Sequence, residues 1–136
     1  MLAGVDAAQA ISDLTEISPQ VRHVAVIEAD GSVTGSNLSD DAAAERLATG
    51  AKRLVEEAQT MRSDVAQLEA ATLNGSVFVV RDGERMIAAT TTPEPTVGLV
   101  FYDLKSCLRA VAADDGDGKP RPKAKRTRAK AKADGT

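Results

Sequence analysis

Three dipeptides, Asp30-Gly31, Asn74-Gly75 and Asp82-Gly83, restrict this chain more than anything else in it. Each lies between runs of strand-forming residues. An Asx-Gly pair supplies the positive-φ residues of a tight hairpin, so a chain with three of them folds back into antiparallel sheet. The strands so joined read Val21 to Glu28 and Ser32 to Ser36, then Val65 to Leu73, Ser76 to Arg81 and Arg85 to Thr91. In the first, Val24 and Val26 point one way and Ala25 and Ile27 the other, and strict alternation puts Val21 and His23 with the second pair. A strand apolar on both sides needs cover on both sides. Gly35 marks a bulge or a weak edge in the short second strand.

Helices supply the cover. Ala7, Ala10, Ile11, Leu14 and Ile17 repeat at helical spacing and stop at Ser18, because Pro19 disfavours helical geometry before it. Ser39 is placed to cap a long second helix running to about Met61, with Asp40 and Asp41 favourable to its dipole. After Pro93 and Pro95 a last helix starts near Val97, its apolar face being Val97, Val100, Phe101, Leu104, Cys107, Leu108 and Val111. The order is helix, two strands, helix, three strands, helix, an α+β domain over residues 1–113.

Charge divides the chain at the same point. Residues 1–113 hold sixteen acidic and nine basic side chains, a net of −7, whereas residues 114–136 hold four acidic and eight basic, a net of +4. The tail lacks apolar periodicity and is expected to stay disordered. Its cations are Lys119, Arg121, Lys123, Lys125, Arg126, Arg128, Lys130 and Lys132, with no acid among them and no aromatic for base stacking. That suits loose attachment to a polyanion, either nucleic acid or an acidic surface. No stretch reaches the roughly 18 apolar residues of a membrane span. The N-terminus carries Asp6, Asp13 and Glu16 without a basic start, unlike a signal peptide, and a cytoplasmic location is expected.

Catalytic sets are hard to assemble. His23 is the single histidine and Cys107 the single cysteine, the latter on an apolar helix face where it reads as a small buried hydrophobe. The pairs Asp40-Asp41, Glu56-Glu57 and Asp114-Asp115 are adjacent, and adjacent helical residues diverge by about 100°. They read as a helix start, a solvated face and a linker. None of the glycines belongs to a phosphate-binding array, so no nucleotide, metal or other cofactor is expected. The chain reads as something other than an enzyme.

The long helix carries the surplus. Ala43, Ala44, Leu47, Ala48, Ala51, Leu54, Val55, Ala58 and Met61 spread over about 140° of its circumference, wider than the roughly 100° needed to sit on one sheet. Gly50 lies just outside that arc, followed by Glu57, Arg46 and Arg53. A mid-helix glycine costs about 1 kcal/mol relative to alanine. Either Gly50 and Ala43 let a second helix approach closely, or the glycine is tolerated drift.

The element order, the phrase VRHVAVIEADGSVTGSN at residues 21–37, Gly50 in the following helix and TTTPEPTVGLVFYDLKSCLRAV at residues 90–111 together resemble the roadblock/LC7 family. The likeness spans about residues 9–112. It implies a roadblock/profilin-like five-stranded antiparallel sheet of order 2-1-5-4-3. The long helix would cover one face and the other two helices the second. It also implies a homodimer in which the third strand pairs with its twin while the long helices pack antiparallel. Ala43, Arg46, Leu47, Gly50, Arg53, Leu54, Glu57 and Met61 would form that interface with Val65, Gln67 and Glu69 of the strand. Bacterial members regulate or scaffold small Ras-like GTPases, some of them accelerating GTP hydrolysis without lending an arginine. A GTPase would then dock on Glu45, Thr49, Lys52, Arg53 and Glu56. Two alternatives stand beside this: a dimer that binds nucleic acid through its tail, and a structural scaffold with no GTPase.

Overall fold

The computed structural model describes residues 6–117, with the elements α1 (Ala7–Ile17), β1 (Val21–Ile27), β2 (Val33–Ser36), α2 (Asp41–Met61), β3 (Gln67–Thr72), β4 (Gly75–Asp82), β5 (Arg85–Thr91) and α3 (Val97–Asp117). All strand pairs are antiparallel and the sheet order is β2-β1-β5-β4-β3, as the resemblance implies. The β4–β5 hairpin turns on Gly83 and Glu84, one residue later than the Asp82-Gly83 pair suggests, with Gly83 at φ 66°, and Gly31 closes the β1–β2 turn at φ 90°. At that turn the hydroxyl and backbone N–H of Ser32 both donate to the Asp30 carboxylate, and these bonds hold its pKa below the ordinary value.

The sheet separates two apolar layers. On one side α1 and α3 pack over Val24, Val26, Phe78, Val80, Ile87 and Ala89. Phe78 is fully buried there and meets Phe101 edge-on, with ring centroids 4.9 Å apart. On the other side α2, alone among the described helices, lies over Ala25, Ile27, Val79, Met86 and Ala88.

Departures from simple pattern have local causes. Val21 joins the α1/α3 layer and not the side of Ala25 and Ile27, because the β1–β5 register shifts between Val21 and His23 and the bulge turns the strand over. His23 is exposed, with Nδ1 3.4 Å from the Thr90 hydroxyl across the ladder. The bulge expected from Gly35 is present: Val26 faces Gly35 while Ile27 faces Val33, which leaves Thr34 over. A second demand fixes that glycine, since a Cβ there would lie 2.6 Å from the Cβ of Ala7. Asn37 then completes the sheet beyond β2 by imitating a backbone. Its Oδ1 accepts from Val24 N–H at 2.7 Å and its Nδ2 donates to the Arg22 carbonyl at 2.9 Å.

The cap of α2 is Asp40, not Ser39, and its carboxylate accepts from Ala43 N–H at 2.7 Å. At its far end, Ile17 of α1 is 67 % exposed, so that helix's apolar face closes at Leu14. Similarly Val97, expected on the inner face of α3, is 39 % exposed at the helix entrance. β3 starts at Gln67, later than the expected Val65, because Val65 serves the connection: Arg81 Nη1 donates to its carbonyl at 2.9 Å and also to Gln59 of α2. Leu73, expected at the end of that strand, stands 97 % exposed in the β3–β4 turn. Finally α3 continues to Asp117, past the boundary expected at Ala113, so Asp114-Asp115 belongs to a helix and not to a linker. The cationic run from Lys119 to Lys132 lies outside the described residues. No helix among the described residues is long and apolar enough to cross a membrane.

Candidate functional site

α2 divides its own apolar arc. Ala44, Ala48, Ala51 and Val55 are buried on the sheet. At 100° per residue they occupy roughly 80° to 140° on a wheel with Ala43 at zero. The remainder of the arc, roughly −20° to 60°, is Gly50, Ala43, Met61, Leu54, Leu47 and Ala58. Ala43, Leu47, Leu54 and Ala58 are half-buried, Gly50 is exposed and Met61 is 80 % exposed. Among the described residues nothing comes within 4 Å of a Cβ built on Gly50, so no contact among them calls for glycine there. Next around the helix come Glu57, Arg46 and Arg53, all exposed.

The helix also has a distinguishable second flank. A cleft of about 670 Å³ runs between β2 and the first half of α2, and Asp41, Glu45 and Thr49 line its helix side. These residues fall on the β2 side of the buried stripe. The half-covered apolar residues fall on the opposite flank of the helix. Leu47 packs at the margin of the α2 layer, as do Val33 of β2, Leu68 of β3 and Val77 of β4. The edge of β3 is open as well. β3 pairs with β4 alone, so the outer backbone groups of Gln67–Thr72 have no strand beside them among the described residues. Gln67 and Glu69 are exposed on it, although Glu69 accepts a hydrogen bond from the Ser76 hydroxyl at 2.8 Å. Val65 stands half-buried just ahead of the strand. An open strand edge beside an incompletely covered helix is a liability that proteins ordinarily manage by pairing or shielding.

Glu45, Thr49, Lys52, Arg53 and Glu56 are all exposed on the outer and β2-facing surface of α2, away from the sheet. Two of them, Glu45 and Thr49, border the cleft, which the sequence did not disclose as a cavity. The signal for it was the acidic pair Asp41 and Glu45, one helical turn apart, facing the polar strand Ser32 to Ser36. Lys52 ends near Gly31 at the mouth of the same cleft.

Side chains capable of chemistry are scattered. Cys107 is buried between α1 and α3, and desolvation, with a smaller contribution from Asp13, pushes its thiol up to about 11. His23 lies across the sheet from it, on the α2 side. Among the described residues no three His, Cys, Asp or Glu side chains gather as a metal would require.

Similarity to known proteins agrees with the geometry. The fold matches the crystal structure of a Roadblock/LC7 domain from Streptomyces avermitilis with a TM-score of 0.69 at 19 % identity, covering 79 % of this chain and 96 % of that one. It matches MglB of Myxococcus xanthus with a TM-score of 0.64 at 13 % identity, covering 81 % and 95 %. A profilin solved in complex with rabbit actin, LokiProfilin1, follows at a TM-score of 0.53 and 11 % identity, covering 76 % and 93 %. No curated protein matches the chain. The family model for the Roadblock/LC7 domain matches residues 8–92, and with well over half of its length so described, this chain belongs to the Roadblock/LC7 family.

Proposed function

We propose that this chain is a non-catalytic regulatory homodimer that binds a small Ras-like GTPase in the cytoplasm and modulates its GTP hydrolysis. One observation carries the reading: the apolar half-arc of α2, centred near Leu54, is left partly open in a chain whose β3 edge is also unpaired among the described residues. A second copy related by a two-fold axis covers both at once, strand to strand and helix to helix. Ala43, Leu47, Gly50, Leu54 and Met61 make the helix contact, Arg46, Arg53 and Glu57 its rim, and Val65, Gln67 and Glu69 the strand contact. The paired helices then present Glu45, Thr49, Lys52, Arg53 and Glu56 outward as a docking surface. The chain acts by positioning its partner and contributes no chemical step of its own. Family membership and the MglB-like fold support a regulatory role of this kind.

Affinity capture with the full chain, in the presence of GDP or a non-hydrolysable GTP analogue, tests it. A small GTPase retained in one nucleotide state, and lost with Lys52→Glu/Glu56→Lys, is the expected outcome. Absence of any GTPase under either nucleotide favours the scaffold reading. The eight cations in the 14 residues from Lys119 to Lys132 favour a second activity, weak and sequence-blind attachment to nucleic acid. DNA retention that fades steeply with salt, and is lost when the chain ends at Asp117, identifies it.

A further inference from the structure

On the face of the sheet opposite α2, the helices α1 and α3 leave a small cavity between them. Its volume is about 130 Å³, and Ala10, Leu14, Ile17 and Ala110 give it largely apolar walls. Asp103 of α3 lines it as well. Only 7 % of this residue is exposed, yet among the described residues its carboxylate accepts no hydrogen bond and joins no ion pair. A carboxylate at such depth is ordinarily paired, because losing water without gaining a partner is costly. Among the described residues the Ser18 hydroxyl is the one wholly enclosed side-chain polar group without a partner. The Asp103 carboxylate therefore keeps a narrow access, and the cavity it lines supplies it. We propose that this cavity receives a lysine side chain of a partner protein, its ammonium seated on Asp103.

Size and donors both fit. At ~30 Å³ of liquid per water the cavity has room for about four waters. That is the scale of the four-carbon stem and ammonium of one lysine. Apolar walls suit such a stem, which lies along hydrocarbon while its head finds charge. Three acceptors border the space from the two helices: Asp103, Asp13 and Ser106. Asp13 accepts from the Gln9 side chain at 2.9 Å through Oδ1, which leaves Oδ2. The Ser106 hydroxyl donates to the Tyr102 carbonyl at 3.0 Å and can still accept. An ammonium has three donors that point apart, whereas a guanidinium is a flat fork shaped for one carboxylate edge. Acceptors on two facing helices favour the ammonium. No lysine, arginine or histidine lines the cavity to occupy it from within.

The surroundings indicate a protein as the source of the amine. Ile17 lines the cavity and is nevertheless 67 % exposed. Leu99, one turn ahead of Asp103 on the same stripe of α3, is exposed too. A free amine leaves both in water, while a lysine carried between apolar neighbours covers them. The net charge of −7 over residues 1–113 draws a basic partner toward the domain. Since α2 lies on the other face of the sheet, this site stands apart from the surfaces proposed for dimer and GTPase and does not rest on that reading.

Titration of the full chain with n-butylammonium, followed through its amide resonances, tests the seat. Signals of Ala10, Asp13, Leu14, Asp103, Ser106 and Cys107 should shift, with a dissociation constant in the millimolar range usual for so small a ligand. The uncharged n-butanol should leave them in place. Asp103→Asn should weaken binding about tenfold or more. Asp13→Asn, at an exposed position, should weaken it less, and Glu16→Gln, which removes as much charge outside the cavity, should not weaken it. Because Asp103 has no partner among the described residues, Asp103→Asn should leave the urea midpoint of the free chain unchanged or raised. A marked fall makes the carboxylate a structural element and overturns the proposal. Equal shifts with n-butanol, undiminished binding to Asp103→Asn, or no shift at all overturn it as well. The acetylated tripeptide amide leucyl-lysyl-leucine tests the source: it should bind more tightly than n-butylammonium and than its norleucine counterpart. Equal affinity of peptide and amine overturns a protein lysine as the occupant. Movement of the same signals on removal of residues 118–136 does so too, by assigning the cavity to the chain's own cations.

Discussion

Gly50 allows the stability of the chain and its self-association to be pulled apart. A Cβ at this position meets nothing within 4 Å among the described residues, and the residue lies in the middle of α2 with ordinary helical neighbours. Inside one chain, Gly50→Ala should therefore stabilise the helix by about 1 kcal/mol, and Gly50→Arg by nearly as much, since both residues are strong helix formers. For a domain of this size 1 kcal/mol is roughly 4 °C in Tm. Across a two-fold contact the effects reverse, because each substitution enters twice. Alanine adds two methyl groups between closely approaching helices, and arginine adds two charged side chains to an apolar seam. Sedimentation over a concentration series should show a dimer for the parent chain, a weakened dimer for Gly50→Ala and a folded monomer for Gly50→Arg. Urea unfolding of that monomer, followed by circular dichroism, should show native helix content and no loss of intrinsic stability. A dimer of unchanged affinity in Gly50→Arg refutes the placement of the interface, and a well-behaved monomer for the parent at micromolar concentration refutes the dimer.

Other substitutions probe the fold directly. Gly35→Val should destabilise by about 2 kcal/mol or more, measured by chemical denaturation, because its Cβ would press within 2.6 Å of the Ala7 Cβ and overpacked sites are costly. Phe78→Ala empties a fully buried position and removes the edge-on contact with Phe101, so a loss of about 4 kcal/mol is expected from the same assay. Cys107 gives a pH signature. The folded state holds the thiol up to about 11 against 9.0 for the free group, so the unfolded chain releases its proton first. The stability contribution from that group is intact below pH 9 and is lost as pH rises from about 9 toward 11. Cys107→Ala should abolish this part of the alkaline slope in denaturation midpoints, leaving any partner-dependent activity in place.

How much could be read without coordinates depended on whether the deciding interaction was local. The Asx-Gly pairs and the two-sided strand Val24 to Ile27 specify an antiparallel sheet with cover on both faces, and that architecture is present. Their information lies within a few residues. The bulge that turns Val21 over arises from pairing with Thr91, seventy residues away in sequence, and strict alternation cannot register it. Asn37 completing the sheet, Arg81 tying β3's entry to α2, and Gly35 admitting Ala7 are all contacts between distant segments. Ser39 and Asp40 are both competent caps, and only the backbone path selects the second. α3 continues through Asp114, Asp115, Gly116 and Asp117, residues whose weak helical propensities argue for stopping sooner. For the candidate site, the excess width of the apolar arc was legible in α2 itself. That the excess stays partly uncovered, and that β3 lies at an open edge, followed only from the fold.

The two layers on either side of the sheet are unequal, and the inequality has a thermodynamic meaning. Above β1, β4 and β5, α1 and α3 contribute Ile11, Leu14, Val100, Leu104 and Leu108, whereas α2 contributes mostly alanine, with Val55 as its only buried side chain larger than that. Burial of alanine recovers little of the entropy spent in ordering 21 residues of helix. In a lone chain α2 is therefore the first cooperative unit to come loose, and its amides should exchange with solvent well before those of α3. Whatever covers its open half supplies the missing stability. The order of this helix is then a quantity set by occupancy, and hydrogen exchange along Asp41–Met61 becomes a direct gauge of whether the molecule has found its companion.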